Sequence, residues 1–169
     1  EHNRAYLDAR LEGRDTVRSV IAYAGEDELL RDLDLIHESL VSHGDGLAAN
    51  GGLLDLIRLV RTFGFYLVQL DVRQESSVHT TTVAEILDVL GEADYAALDE
   101  RDRCTLLGRL LAAPAQVPEP ARLSQSARDV LAVFDVIARA RAELSTRAIG
   151  QYVISMTHQA SHVLEVLYL

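Results

Sequence analysis

The segment Leu70-Asp71-Val72-Arg73-Gln74-Glu75-Ser76 carries the residues best suited to chemistry in this 169-residue chain. From Tyr66 to Arg73 the residues alternate, which predicts a strand with Tyr66, Val68, Leu70 and Val72 on one face and Leu67, Gln69, Asp71 and Arg73 on the other. A charge on a strand's inner face needs a partner, because burying a lone ion costs several kcal/mol. Asp71 and Arg73 lie two apart on the same face, so each can neutralise the other or hold a ligand. Arg73 falls where the strand gives way to a loop, which in parallel βα architectures is the ligand-binding rim. A guanidinium there suits bidentate contact with phosphate or carboxylate. The alternative is an arginine that only bridges two elements of the fold.

Other reactive residue types are weaker candidates. His79 precedes Thr80-Thr81-Thr82 at a predicted helix start, where it reads as an exposed first-turn histidine beside hydroxyls able to cap free N–H groups. His158 and His162 have the i,i+4 spacing that can present two imidazoles to a metal, but no carboxylate completes a site at motif spacing. Cys104, the single cysteine, lies in a predicted helix and reads as an inert thiol. It also excludes an internal disulfide and a multi-cysteine metal cage. Glycine-rich phosphate loops are absent.

Composition narrows the possibilities further. The net charge is −10, from 26 acidic against 16 basic residues, which opposes a long-range pull toward nucleic acid or an anionic membrane. All the basic residues are arginine; without lysine, Schiff-base chemistry and phosphate-loop lysines are impossible within the chain. At 49% apolar and 25% charged residues the chain can bury a core. No apolar run approaches the length of a membrane span, and Glu1 opens no signal sequence, so a soluble, cytoplasmic protein is expected.

Helices must position the strand. Leu29, Leu33, Ile36 and Leu40 repeat at helical spacing between Glu28 and Ser42, ahead of the Gly44-Asp45-Gly46 turn. After Asn50-Gly51-Gly52, a stripe of Leu53, Leu56, Ile57, Val60 and Phe63 predicts a second helix, stopped by Gly64. Further helices are predicted at about Ser77 to Leu90, with Gly91 as stop, at Asp99 to Ala113 and at Ser124 to Leu144. Pro114, Pro118 and Pro120 make the segment between the last two extended. Gln151 to Thr157 alternates again and predicts a second strand, with Tyr152, Ile154 and Met156 opposing Val153, Ser155 and Thr157. Two strands, near 66–73 and 151–157, separated by helices, are natural parallel neighbours joined by a crossover. A last helix from about Ala160 is still apolar at Leu169, so 1–169 reads as a single partial domain, an internal piece of something larger.

Ala49-Asn50-Gly51, Leu53-Leu54-Asp55, Phe63-Gly64 and Leu70-Asp71-Val72-Arg73-Gln74-Glu75-Ser76 with His79-Thr80, in that order and spacing, resemble phosphoenolpyruvate carboxylase. The likeness resumes at Tyr152-Val153-Ile154-Ser155-Met156, with Ser161 and Val163-Leu164-Glu165-Val166 after it. The resemblance implies an α-rich α/β fold, a fragment of an eight-stranded βα (TIM-type) barrel with mostly helical insertions. It implies a homotetrameric parent enzyme that uses Mg²⁺ or Mn²⁺ to combine phosphoenolpyruvate with bicarbonate, giving oxaloacetate and phosphate. Bicarbonate attacks the phosphoryl group, and the resulting enolate captures the CO₂ released from carboxyphosphate. Such chemistry needs positive charge around the phosphate and the developing enolate.

Arg73 matches the family arginine that contacts the substrate's phosphate region, and Asp71, Gln74 and Glu75 are expected to orient it and shape the rim. No catalytic residue is expected in this stretch: the family's histidine in a Thr-Ala-His-Pro context is absent, its metal-binding carboxylates belong beyond Leu169, and its catalytic lysine has no counterpart. Position 162 is His where the family commonly has Asp. The chain alone is therefore expected to be inactive. A competing expectation is a stand-alone acidic helical interaction module, with Arg73 salt-bridged away from any cavity.

Overall fold

The computed structural model describes residues 2–14, 16–17 and 19–169, Leu11 by its backbone alone. The chain packs as two compact units, Glu1–Val68 and Gln69–Leu169.

The first unit is helical: α1 (His2–Leu11), α2 (Glu26–Ser42), the one-turn α3 (Gly46–Ala48), a π-helical turn at Ala49–Leu53 and α4 (Leu54–Phe63). Three acidic residues, Glu26, Asp27 and Glu28, open α2, where the helix dipole favours negative charge. The predicted stripes meet: Leu33 of α2 buries against Ile57 and Val60 of α4, with Leu29, Leu30 and Leu53 around them. Arg61 ties the same pair of helices from outside, its Nη2 lying 3.0 Å from both carboxylate oxygens of Asp34. Gly64 ends α4 at φ +52°, and Tyr66 folds its ring over that glycine.

The second unit runs β1 (Leu70–Glu75), α5 (Ser76–Leu90), α6 (Glu100–Leu111), α7 (Gln125–Glu143), β2 (Ile149–Ser155) and α8 (Ser161–Tyr168). β1 and β2 form a two-stranded parallel sheet, and the chain between them is helical, as a parallel crossover requires. Val83, Leu87, Tyr95 and Leu107 are fully buried, with Leu164 and Tyr168 of α8 packed on them. Ile86, Leu123 and Ala127 form a second cluster where α7 crosses α5. Gly91 stops α5 in the left-handed conformation, as its position predicts.

Both strands are displaced from the alternation that predicts them. Residues 66–69 form a tight turn, with Leu67 at φ +63° and the Val68 amide donating to the Tyr66 carbonyl, so β1 begins at Leu70 and continues to Glu75. β2 begins earlier, at Ile149, and closes at Ser155, because Met156 turns to φ +56°. Alternation reports which side a residue faces; it is blind to a single backbone reversal that ends pairing.

The two strands do not pair evenly. Leu70 opposes Ile149, but Val72 opposes Tyr152, so two steps along β1 match three along β2. Gly150 and Gln151 share the place opposite Asp71, a bulge in the longer strand. Beyond it the ladder is regular, with Arg73 opposite Val153, Gln74 opposite Ile154 and Glu75 opposite Ser155.

Candidate functional site

Partners in a parallel ladder share a face, so the register sorts the strand residues into two sets. Val72 and Gln74 of β1 go with Tyr152 and Ile154 of β2; these are half-buried, and Tyr152 stacks on Phe134 of α7 with ring centroids 5.4 Å apart. Arg73 and Glu75 go with Val153 and Ser155 on the open face, where all four are exposed.

On that face Arg73 lies between two acids, Asp71 and Glu75, yet its guanidinium makes no ion pair or hydrogen bond with any described residue. Each neighbouring carboxylate is engaged elsewhere. Asp71 Oδ1 accepts the Gln151 amide hydrogen at 2.9 Å, and Glu75 Oε1 accepts from the Ser77 hydroxyl at 2.9 Å. Gln74, whose Oε1 accepts from the Glu75 amide at 2.8 Å, sits on the helix side of the sheet. The four residues of the motif are thus assembled at one strand end, but the three expected to orient Arg73 contact other groups. Arg73 also bridges no two elements among the described residues.

The carboxyl ends of the two strands are tied together. Ser76, the first residue of α5, is buried and donates from Oγ to the Met156 carbonyl at 2.8 Å. That bond fixes the loop in which Met156 takes its left-handed conformation, a strained state for a residue with a Cβ.

His79 departs from expectation. It is fully buried, with Nε2 2.7 Å from the Tyr152 hydroxyl, and its Nδ1 has no partner. Burial, with the nearby His162 adding to it, lowers its pKa. Burial likewise raises that of Tyr152. First-turn position does not decide exposure here, because Tyr152 of β2 reaches the ring of His79. The three threonines behave differently as well: Thr81 and Thr82 donate to the Ser77 and Val78 carbonyls one turn back, and Thr80 donates to Glu165 Oε2 at 2.8 Å. They return their hydroxyls to carbonyls and a carboxylate, and cap no N–H group.

Two further acids, missed as site residues by sequence reasoning, organise α8. Glu165 is fully buried and accepts from Thr80 and from the Tyr95 hydroxyl at 2.9 Å. Its signal in the sequence was a lone acid inside the apolar run Val163–Leu167. Glu100, at the start of α6, accepts from the Ser161 amide at 2.9 Å and the Ser161 hydroxyl at 2.6 Å, occupying the N-terminus of α8. Cys104 donates to the same carboxylate at 3.3 Å, and burial followed by Glu100 raises its thiol pKa, which fits an inert cysteine. His158 lies ahead of α8; its amide is 3.4 Å from His162 Nδ1, so one of the two rings faces backbone. Among the described residues no group of three His, Cys, Asp or Glu is placed to hold a metal ion.

A helix-rich unit whose two parallel strands are joined by a helical crossover defines an α-rich α/β protein. A family model described as phosphoenolpyruvate carboxylase matches residues 1–169, and the chain belongs to that family. It is 40% identical over 163 residues to a phosphoenolpyruvate carboxylase of Rhodopseudomonas palustris, covering 93% of this chain and 18% of that protein. A phosphoenolpyruvate carboxylase of Rhodothermus marinus is 44% identical over 146 residues, covering 85% of this chain and 16% of that protein. Phosphoenolpyruvate carboxylase 1 of Chlamydomonas reinhardtii is 34% identical over 168 residues, covering 99% of this chain and 17% of that protein. The chain thus spans about a sixth of the length of these relatives.

Proposed function

We propose that this chain is an internal segment of a phosphoenolpyruvate carboxylase, a carboxy-lyase that joins phosphoenolpyruvate and bicarbonate to give oxaloacetate and phosphate. The segment supplies two strands of a βα barrel, their covering helices and one substrate-binding arginine. The observation that carries this reading is the free Arg73 guanidinium between two carboxylates that are both engaged elsewhere. An arginine with two acids within reach on its own face and no bond to either is poised for an external anion.

Arg73 holds the phosphate of phosphoenolpyruvate through parallel N–H···O bonds and offsets the charge that builds up as the phosphoryl group is attacked. Glu75 shapes the rim on the same face, and Gln74 supports the strand from the helix side. The divalent metal and the bicarbonate-handling groups belong to other parts of the parent enzyme, which is cytoplasmic and homotetrameric in this reading. The chain by itself carries no carboxylase activity.

The test uses a full-length carboxylase carrying this segment. Arg73→Ala should lower kcat/KM for phosphoenolpyruvate by about 10²- to 10³-fold, the scale for removing one donor to developing charge. Unaltered kinetics would remove Arg73 from the site. Oxaloacetate formation by the purified 169-residue chain would overturn the segment reading. The acidic interaction module is disfavoured by the same feature, since it requires Arg73 to be salt-bridged.

A further inference from the structure

We propose that Asp71 is a positioning residue that acts on Arg73 through the opposite strand, by locking the register of β2 against β1; the catalytic consequence rests on the reading of Arg73 as an anion ligand. Asp71 and Arg73 share a face and make no bond to each other. The Asp71 carboxylate instead reaches across to the Gln151 amide at 2.9 Å, where three residues of β2 are fitted against two of β1. A bulge leaves one amide outside the ladder, and Asp71 satisfies it.

Gly150 makes this contact possible. A Cβ on Gly150 would lie 2.6 Å from Asp71 Oδ1 and 3.0 Å from Gln69 Cγ, closer than such atoms approach. Gln69 holds the same end of the sheet, donating from Nε2 to the Arg147 carbonyl at 3.2 Å. The carboxylate, the glycine and the extra residue therefore form one device.

The consequence follows from the two-residue period of a strand. Without the bulge, β2 beyond Gly150 pairs one residue out of step, and every side chain changes face. Tyr152, which holds His79 on the helix side, and Ile154 would move to the face of Arg73, and Val153 and Ser155 would leave it. The device thus keeps a phenol and an isoleucine out of the space beside the guanidinium. It also directs Asp71 Oδ1 to the Gln151 amide, and the carboxylate so held makes no bond to Arg73.

Two variants separate the acceptor from the charge. Asp71→Asn keeps an oxygen for the Gln151 amide, and Asp71→Ala removes it; Gly150→Ala attacks the same contact from the other side. In the 169-residue chain, hydrogen exchange of the Gln151 amide should quicken about tenfold in Asp71→Ala and Gly150→Ala and stay within about threefold in Asp71→Asn. In the full-length carboxylase the first two should raise KM for phosphoenolpyruvate about tenfold or more, with Asp71→Asn at or below the parent value. Unchanged Gln151 exchange in Asp71→Ala overturns the register lock. So does an Asp71→Asn variant as impaired as Asp71→Ala in both measurements, since charge and not the acceptor would then be what matters. Because amide exchange is read without catalysis, a neutral Arg73→Ala result would sink the anion-ligand reading while leaving the register lock to stand or fall on its own measurement.

Discussion

Glu100 caps a helix to which it does not belong: its carboxylate accepts both the amide and the hydroxyl hydrogens of Ser161, 61 positions further along the chain. Ala160, the residue in the N-cap position of α8, offers no side-chain oxygen. The cap is therefore supplied by α6, and folding of α8 depends on α6 being in place. Burial works to raise the Glu100 pKa, but hydrogen bonds from the Ser161 hydroxyl and amide, Cys104 and Ala160 outweigh it and hold the group below the usual carboxylate range.

Replacing Glu100 with Ala should cost about 1–2 kcal/mol, the range for losing a helix N-cap, as read from urea denaturation midpoints. Because the folded-state pKa lies below the unfolded one, this contribution is present above about pH 4.3 and is lost as pH falls through the folded value. The parent chain should lose stability over that acid window faster than Glu100→Ala does. A variant with the parent's midpoint at neutral pH would show that the cap is redundant.

His79 sets a second window, nearer neutrality. Its pKa is lowered by burial and by His162, so the unfolded chain takes up a proton that the folded chain resists. Stability from this source is intact above about pH 6.5 and declines as pH falls below it toward the folded pKa. The drop in urea midpoint between pH 7.5 and pH 5.5 should be smaller in His79→Gln than in the parent. An equal drop in both would assign the dependence to other histidines.

Tyr95 and Glu165 form a buried pair at 2.9 Å, and burial, followed by the Glu165 contact, pushes the Tyr95 pKa upward. Tyr95→Phe keeps the ring in the core but leaves a Glu165 oxygen without its donor. It should destabilise the chain by about 1–3 kcal/mol, the cost of an unsatisfied buried polar atom. Thr80→Val should act in the same direction, since Thr80 serves the other oxygen of the same carboxylate at 2.8 Å. Denaturation curves superimposable on the parent for both variants would contradict this.

Gly64 should tolerate no side chain. At φ +52° and ψ −144° it occupies a region that L residues avoid, and a Cβ there would come within 2.5 Å of the Tyr66 ring. Gly64→Ala should lower stability by about 1–3 kcal/mol. In a Tyr66→Ala background the same change should cost only the part due to the backbone, which thermal unfolding of the parent, the two single variants and the double variant would separate.

The sequence by itself determined the helices that carry clear stripes, such as Leu33 against Ile57 and Val60, and the glycine stops at Gly64 and Gly91. It also determined two strands joined through helices, and the family; Arg73, expected where the first strand gives way to a loop, instead lies inside β1, which runs on to Glu75 and straight into α5. Helix and strand periods and glycine backbone freedom act over a few residues, so they are written locally. The short α1 has no such stripe. Only the tertiary structure decided that His79 is buried under Tyr152, 73 positions away, and that Asp71 serves Gln151, 80 positions away, in place of Arg73. It alone decided that Glu100 caps α8. Each of these is a choice among polar partners distant in sequence, and the choice is made by which backbones the fold brings within hydrogen-bond reach. The bulge opposite Asp71 shows the limit most plainly: alternation assigns faces along one strand, but the step at which two strands fall out of register exists only once they are paired.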